Sequence, residues 1–287
     1  MDVEIEILKA FVDKGNGGNP AGVVLNADQL TKEQKQRIAE KAGLSETAFV
    51  SDSQVADFKL DFFTPLRQIA HCGHATIATF SYLSSLGKIN GTESSKETID
   101  GTREIRIENG KAFMEQKQPF YKALNALESQ VLDSLGISSD ELIPGLPPLL
   151  VNTGNSFVIV PISTNFTLRN IKPNLEAVAE ISKELDLIGF YLFSLETIER
   201  DATTRMFAPF YGINEEAATG MAAGPLACYL YDIAKVKKTS FLIEQGYFMD
   251  PPSGSLIEVE LQVEENRILS LFSGGVGLKS GSLKVSI

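Results

Sequence analysis

The first part of the chain alternates polar and apolar positions. Glu4-Ile5-Glu6-Ile7-Leu8 reads as a half-buried strand. The glycine-rich stretch Gly15-Asn16-Gly17-Gly18-Asn19-Pro20 turns the chain into the apolar run Ala21-Gly22-Val23-Val24-Leu25, predicting a strand pair with a flexible tip. Thr31 followed by Gln34 forms a capping box, and Ile38, Ala39 and Ala42 continue a helix that Gly43 ends. Glu46 stands at the head of a strand through Ala48-Phe49-Val50. Phe58-Lys59-Leu60-Asp61-Phe62-Phe63 alternates strongly and stops at Thr64-Pro65, as a strand meeting proline should. Helical spacing of Ile77, Phe80, Leu83 and Leu86 follows the stretch Cys72-Gly73-His74-Ala75-Thr76 and closes at Gly87. Short alternating strands with a hairpin signal at Asn109-Gly110 come next.

The second half repeats this order. Asn155-Ser156 with Phe157-Val158-Ile159-Val160 echoes Asn19-Pro20 and its apolar run, and a helix from Leu175 to Leu185 precedes a strand at Gly189-Phe190-Tyr191-Leu192-Phe193. Arg205-Met206-Phe207-Ala208-Pro209 echoes the strand ending at Pro65, and Thr219-Gly220 opens a helix as Cys72-Gly73 does. Order shared by matches that are individually weak points to an internal duplication. The loop-like Pro144-Gly145-Leu146-Pro147-Pro148 places the joint, giving halves at 1–120 and 149–287 with a linker region at 121–148. The last strand is left open to return to the N-terminal half.

At 287 residues and 43% hydrophobic the chain can bury a substantial core. A net charge of -11 without a basic run argues against nucleic acid or an anionic membrane surface as partner. Two distant cysteines and the acidic start at Asp2, Glu4 and Glu6 suggest a cytoplasmic chain, and the apolar segment 217–234, interrupted by Asp232, reads as a buried helix.

Candidate chemistry gathers at the two glycine-led helix starts. If the halves are related by a pseudo-twofold axis, the N-termini near Gly73 and Gly220 can face one cleft, and free N–H groups there suit a carboxylate. Glu46, ahead of an apolar strand, is a candidate general acid and base, with burial expected to raise its pKa. His74 can donate to a ligand or shuttle a proton. Glu215 and Glu216 read as acids favoured near a helix N-terminus, or as groups that meet a polar substrate. A metal pooled from His71, Cys72, His74 and Cys228 is disfavoured, because adjacent His71 and Cys72 do not readily aim at one ion. Cys72 as a nucleophile lacks a matching thiol in the second half, where Glu216, Ala217 and Ala218 stand.

Taken together, Gly18-Asn19-Pro20-Ala21-Gly22-Val23, Ser45-Glu46-Thr47-Ala48-Phe49-Val50, Phe62-Phe63-Thr64-Pro65, Cys72-Gly73-His74-Ala75-Thr76, Arg205-Met206-Phe207-Ala208-Pro209 and Ala218-Thr219-Gly220 resemble, in order, the phenazine-biosynthesis PhzF-like family. The resemblance implies a diaminopimelate-epimerase-like α+β fold: two pseudo-symmetric halves, each a curled, mostly antiparallel sheet around a central helix. It also implies a cofactor-free isomerase, often a homodimer, acting on a small carboxylated metabolite bound between the halves. In the family's best understood member, the glutamate matching Glu46 moves a proton in isomerising a dihydro-hydroxyanthranilate beside the histidine matching His74. By the same matching, Glu216 and Met221 stand where the family places an aspartate and a serine around the substrate, while the two helix starts give Gly73 and His74 as one wall of the site and Thr219 and Gly220 as the other. Here the family's Asp-Pro-Ala-Thr-Gly-Ser becomes Glu216-Ala217-Ala218-Thr219-Gly220-Met221, so a longer acid and a thioether that cannot donate replace aspartate and serine. Gln68 stands where an acid is common, and Asp250-Pro251-Pro252-Ser253 lacks the family's arginine. Alternatives are an inactive ligand-binding or interaction protein on the same scaffold, and a racemase or epimerase.

Overall fold

Two units divide the chain: Met1–Glu115 with Gly274–Ile287, and Gln116–Ser273. The computed structural model describes every residue from Met1 to Ile287. The first unit runs β1 (Asp2–Ala10), β2 (Asn19–Val24), α1 (Lys32–Ala42), β3 (Thr47–Ser51), β4 (Phe58–Phe63), β5 (Gln68–Ile69), α2 (Gly73–Ser85), β6 (Glu93–Thr98), β7 (Gly101–Glu108) and β8 (Lys111–Gln116). The second runs β9 (Phe120–Ala123), α3 (Leu127–Leu135), β10 (Leu149–Asn152), β11 (Ser156–Pro161), α4 (Asn165–Asn170), α5 (Leu175–Glu184), β12 (Gly189–Ser194), β13 (Ala202–Phe207), α6 (Gly220–Asp232), β14 (Ser240–Gln245) and β15 (Ser255–Glu264). A long last strand, β16 (Arg267–Ser286), starts in the second unit and ends in the first.

The local signals act as their chemistry requires. Thr31 and Gln34 cap α1 reciprocally, and Gly43 ends it in the left-handed region at φ 64°. Asn109 and Gly110 both take positive φ between β7 and β8, the requirement of a tight hairpin whose twist matches its strands.

Each unit repeats one pairing scheme. In the first, β1–β2 is antiparallel, β2–β3 parallel, β3–β4 antiparallel, β4–β6 parallel and β6–β7 antiparallel. In the second, β10–β11, β11–β12, β12–β13, β13–β14 and β14–β15 alternate in the same way. The parallel steps fall where a helix intervenes, since a parallel connection needs a crossover. The repeated motifs of the sequence are therefore a repeated α+β unit. Residues 121–148, read from the sequence as a linker region, carry the end of β9 and all of α3. Leu124, Val131, Leu132 and Leu135 from this segment enter the second unit's core.

In the first unit β1, β2, β3, β4, β6, β7, β8 and β16 close into a ring of eight strands, because β16 also pairs with β1. Helix α2 packs against β1, β2, β3 and β7, and is buried from Gly73 to Ser81. Gly277 on β16 permits this approach: a Cβ there would meet Ser81 Cβ at 2.7 Å. Helix α1 covers the other face over Ile5, Val24, Phe49 and Phe63. Strand β3 is consequently buried on both faces. In the second unit α6 packs against β10, β11 and β15, while α3, α4 and α5 close an apolar layer over Val158, Val160, Phe190 and Leu192. Each such side chain, fully buried, contributes about 1.5–3 kcal/mol. No helix is long and apolar enough to cross a membrane; the 217–234 segment contains the buried α6.

Arg205 on β13 fastens the second unit's loops. Its guanidinium meets Glu215 with two 2.8 Å hydrogen bonds and donates to the carbonyls of Leu168 at 3.1 Å and Ile171 at 2.7 Å. Arg205→Met strands these acceptors and is expected to cost about 3–5 kcal/mol in urea unfolding. Removing the exposed Lys284–Asp2 pair should leave the same measurement close to wild type.

Candidate active site

Glu46 reaches its position through its backbone. Its carbonyl accepts the Gly22 N–H at 2.9 Å, tying the entry of β3 to β2, and the carboxyl side chain is left buried. His74, the second residue of α2, is also buried, and its Nε2 lies 3.2 Å from Glu46 Oε2. The contact is an ion pair; Oε2 accepts no hydrogen bond. Burial by itself would push the Glu46 carboxyl up, as the sequence predicts. The His74 charge and the contacts with His74 and Ser45 outweigh it and hold the carboxyl below its usual range. The direction expected from the sequence is therefore reversed: the arrangement with His74 favours the ionised Glu46 carboxyl.

Cys72 is the cap residue ahead of α2 and makes no side-chain capping bond. Its Sγ rests 3.6 Å from His74 Nδ1. Burial pushes this thiol up, so it stays protonated near neutral pH and is a poor nucleophile. Of the residues pooled from the sequence as metal ligands, Cys72 and His74 do come together, and Glu46 joins them with one donor atom from each within 4.8 Å of the others. These three could hold a metal only by surrendering the Glu46–His74 pair and the thiol proton. Cys228 is buried within α6, its thiol pushed up by burial, and His71 has a different partner.

That partner, Lys96 on β6, is fully buried. Its Nζ lies 3.1 Å from His71 Nδ1, donates to Thr76 Oγ1 at 2.7 Å and sits 5.3 Å from the Phe62 ring centroid. Burial brings its pKa down to about 7, and burial together with the Lys96 charge holds His71 well below the usual histidine value. Reading the residues for known motifs misses Lys96. The signal available was its phase: in β6 the inward positions are Ser94, Lys96 and Thr98.

In the second unit Thr219 and Gly220 form the start of α6. The Thr219 hydroxyl donates to Glu216 Oε2 at 2.6 Å, and the Thr219 N–H donates to Gln245 Oε1 at 3.0 Å. Gln245, fully buried and also missed, donates from Nε2 to the Glu216 carbonyl at 2.7 Å and to Thr219 Oγ1 at 3.1 Å, and its Oε1 accepts the Tyr191 hydroxyl. Glu215 is drawn to Arg205. The Gly220 carbonyl accepts from Gln116, and Met221 Sδ accepts from Asn155 Nδ2 at 3.3 Å. The structure thus brings Glu46, Gly73 and His74 together in the first unit, and Glu216, Thr219, Gly220 and Met221 together in the second.

The sequence profile of the phenazine biosynthesis-like proteins (PhzC-PhzF) matches residues 8–274. The chain belongs to this family. As a phenazine biosynthesis-like protein it is similar to the uncharacterized isomerase YfhB of Bacillus subtilis, 33% identical over 85% of this chain and 86% of that one. It is 29% identical to the trans-2,3-dihydro-3-hydroxyanthranilate isomerase of Pseudomonas chlororaphis, over 96% and 98% of the two chains. The crystal structure of a PhzF-family protein from Bacillus anthracis matches all of both chains with a TM-score of 0.89 and 31% identity. These relatives make the protein an enzyme of the isomerase type.

Lys96 gives this phenazine biosynthesis-like protein a distinctive pH dependence. Its folded-state value of about 7 lies below the ordinary lysine value of about 10.4, so between them the unfolded chain binds the extra proton and rising pH favours the folded state. Relative to Lys96→Met, wild-type stability should climb through that window by up to about 1.4 kcal/mol per pH unit. Urea unfolding at a series of pH values reads it directly.

Proposed function

We propose that this protein is a cofactor-independent isomerase that moves a proton between two carbons of a small carboxylated metabolite. The observation that carries this reading is the buried Glu46 carboxylate, held ionised beside His74 with Oε2 accepting no hydrogen bond. A carboxylate so placed can accept a proton from an acidic C–H. The C–H bond electrons move into the substrate's conjugated system, and the same carboxyl returns the proton at a different carbon, so atoms and charge balance without a second reactant. His74 offsets the carboxylate charge before the transfer and can donate to a substrate oxygen afterwards.

The helix start at Gly73 supplies backbone N–H groups suited to a substrate carboxylate. Sequence resemblance supports substrate contacts for Glu216 and Met221, and the glycine-led start of α6 supports them for Thr219 and Gly220. The Pseudomonas relative's named reaction supports proton transfer on an unsaturated carboxylate. Glu216 and Met221 favour a substrate other than that relative's.

Solvent deuterium incorporation tests the reading. The protein is incubated in D2O with trans-2,3-dihydro-3-hydroxyanthranilate and a panel of small unsaturated carboxylates, and each is followed by NMR. Exchange into one of them should fall by about 10²–10⁴ in Glu46→Gln and persist in Cys72→Ser. Binding without exchange by any of them sinks the isomerase reading and leaves a ligand-binding scaffold.

A further inference from the structure

The first unit buries two lysines, and they are treated differently. Lys35 is paired with Asp61 at 2.6 Å. Lys96 is buried completely, and its polar partners are a hydroxyl and an imidazole, with no carboxylate at ion-pair distance. The architecture does not require a charge there. Phe58 pairs with Lys96 where the parallel step from β4 to β6 begins; in the second unit Ala202 pairs with Ile243 at the corresponding step from β13 to β14. Both are inward positions of strands with the same burial alternation, and Ile243 is wholly buried. One copy of the repeat therefore fills this place with a hydrocarbon and the other with an amine.

The amine leads toward the candidate active site. Lys96 donates to Thr76 Oγ1, and the Thr76 hydroxyl donates onward to the Cys72 carbonyl at 2.6 Å. Cys72 immediately precedes Gly73 and His74, and its thiol lies against the His74 ring. We propose that Lys96 is a positioning residue for the Glu46–His74 pair, holding the first turn of α2 through Thr76 and Cys72. The proposal rests on the reading of that pair as the proton-transfer site.

The groups facing Lys96 are His71 and Cys72 from the segment entering α2, Thr76 from α2 itself, the Phe62 ring from β4, and Asp100 and Arg103 around the β6–β7 turn. Burial and Arg103 oppose the ammonium, while Asp100 favours it. The balance places the change of charge near neutral pH.

The chain has two histidines, so their Cε1–H signals can be followed by NMR in the whole protein, with His71→Phe used to assign them. In Lys96→Met and in Lys96→Gln the His74 titration midpoint should move from its wild-type value, because the first turn of α2 that carries the ring loses its tie to the Lys96 ammonium through Thr76. Lys96→Gln retains a donor and guards against a packing defect in Lys96→Met; thermal unfolding establishes that each variant is folded. A His74 titration that superimposes on wild type in a folded variant overturns the proposal. Retention of deuterium exchange in Glu46→Gln would instead overturn the reading of the pair, and the titration result would stand apart from it.

Discussion

A helix enclosed by strands has few places for polar chemistry. The side of α2 is occupied by apolar contacts, and hydroxyls within it turn back onto its own carbonyls, as Thr76 and Thr79 do. Its N-terminus is different, because the first N–H groups of a helix have no partners within it. Cys72 supplies no capping side chain, and the charged Glu46 and His74 meet there. The location of the candidate chemistry thus follows from the closure of the ring around α2.

Duplication provides the frame, and the differences between the copies provide the chemistry. Where Glu46 precedes β3, Ile188 precedes β12; where β6 turns Lys96 inward, β14 turns Ile243. The second unit instead uses its buried polar groups in a closed network, with both atoms of the Gln245 amide engaged. Such a network rigidifies the start of α6 because every member is satisfied. The first unit keeps an unsatisfied carboxylate oxygen and an amine without a counter-ion, features that suit proton movement better than rigidity.

The fold was legible where neighbours in sequence determine the outcome. The Thr31 capping box, the Asn109-Gly110 hairpin and the strand stop at Pro65 are local, and the shared order of motifs exposed the repeat. Glu46 and His74 were legible as candidates, but the direction of the Glu46 shift was not, since the charge that reverses it comes from another element. Glu215 was open to the same error: its place before α6 suggests a helix-terminal acid, and only folding shows that Arg205 takes it. Lys96 and Gln245 sit in alternating strands, where period two reveals the inward phase but leaves the partner unspecified.

The long strand β16 also has a consequence for how the protein is made. Its end, within Gly274–Ile287, pairs with β1 and completes the first unit's ring. During synthesis from the N-terminus, Met1–Glu115 emerges long before the strand that closes it, and the whole of Gln116–Ser273 must follow first. The ring around α2 consequently cannot close until Gln116–Ser273 and the strand after it have been made, whereas the second unit's segment is contiguous and can fold as it emerges. The Glu46–His74 pair thus lies in the unit whose completion waits for β16, so the candidate site is assembled after the unit that lies between its parts in the chain.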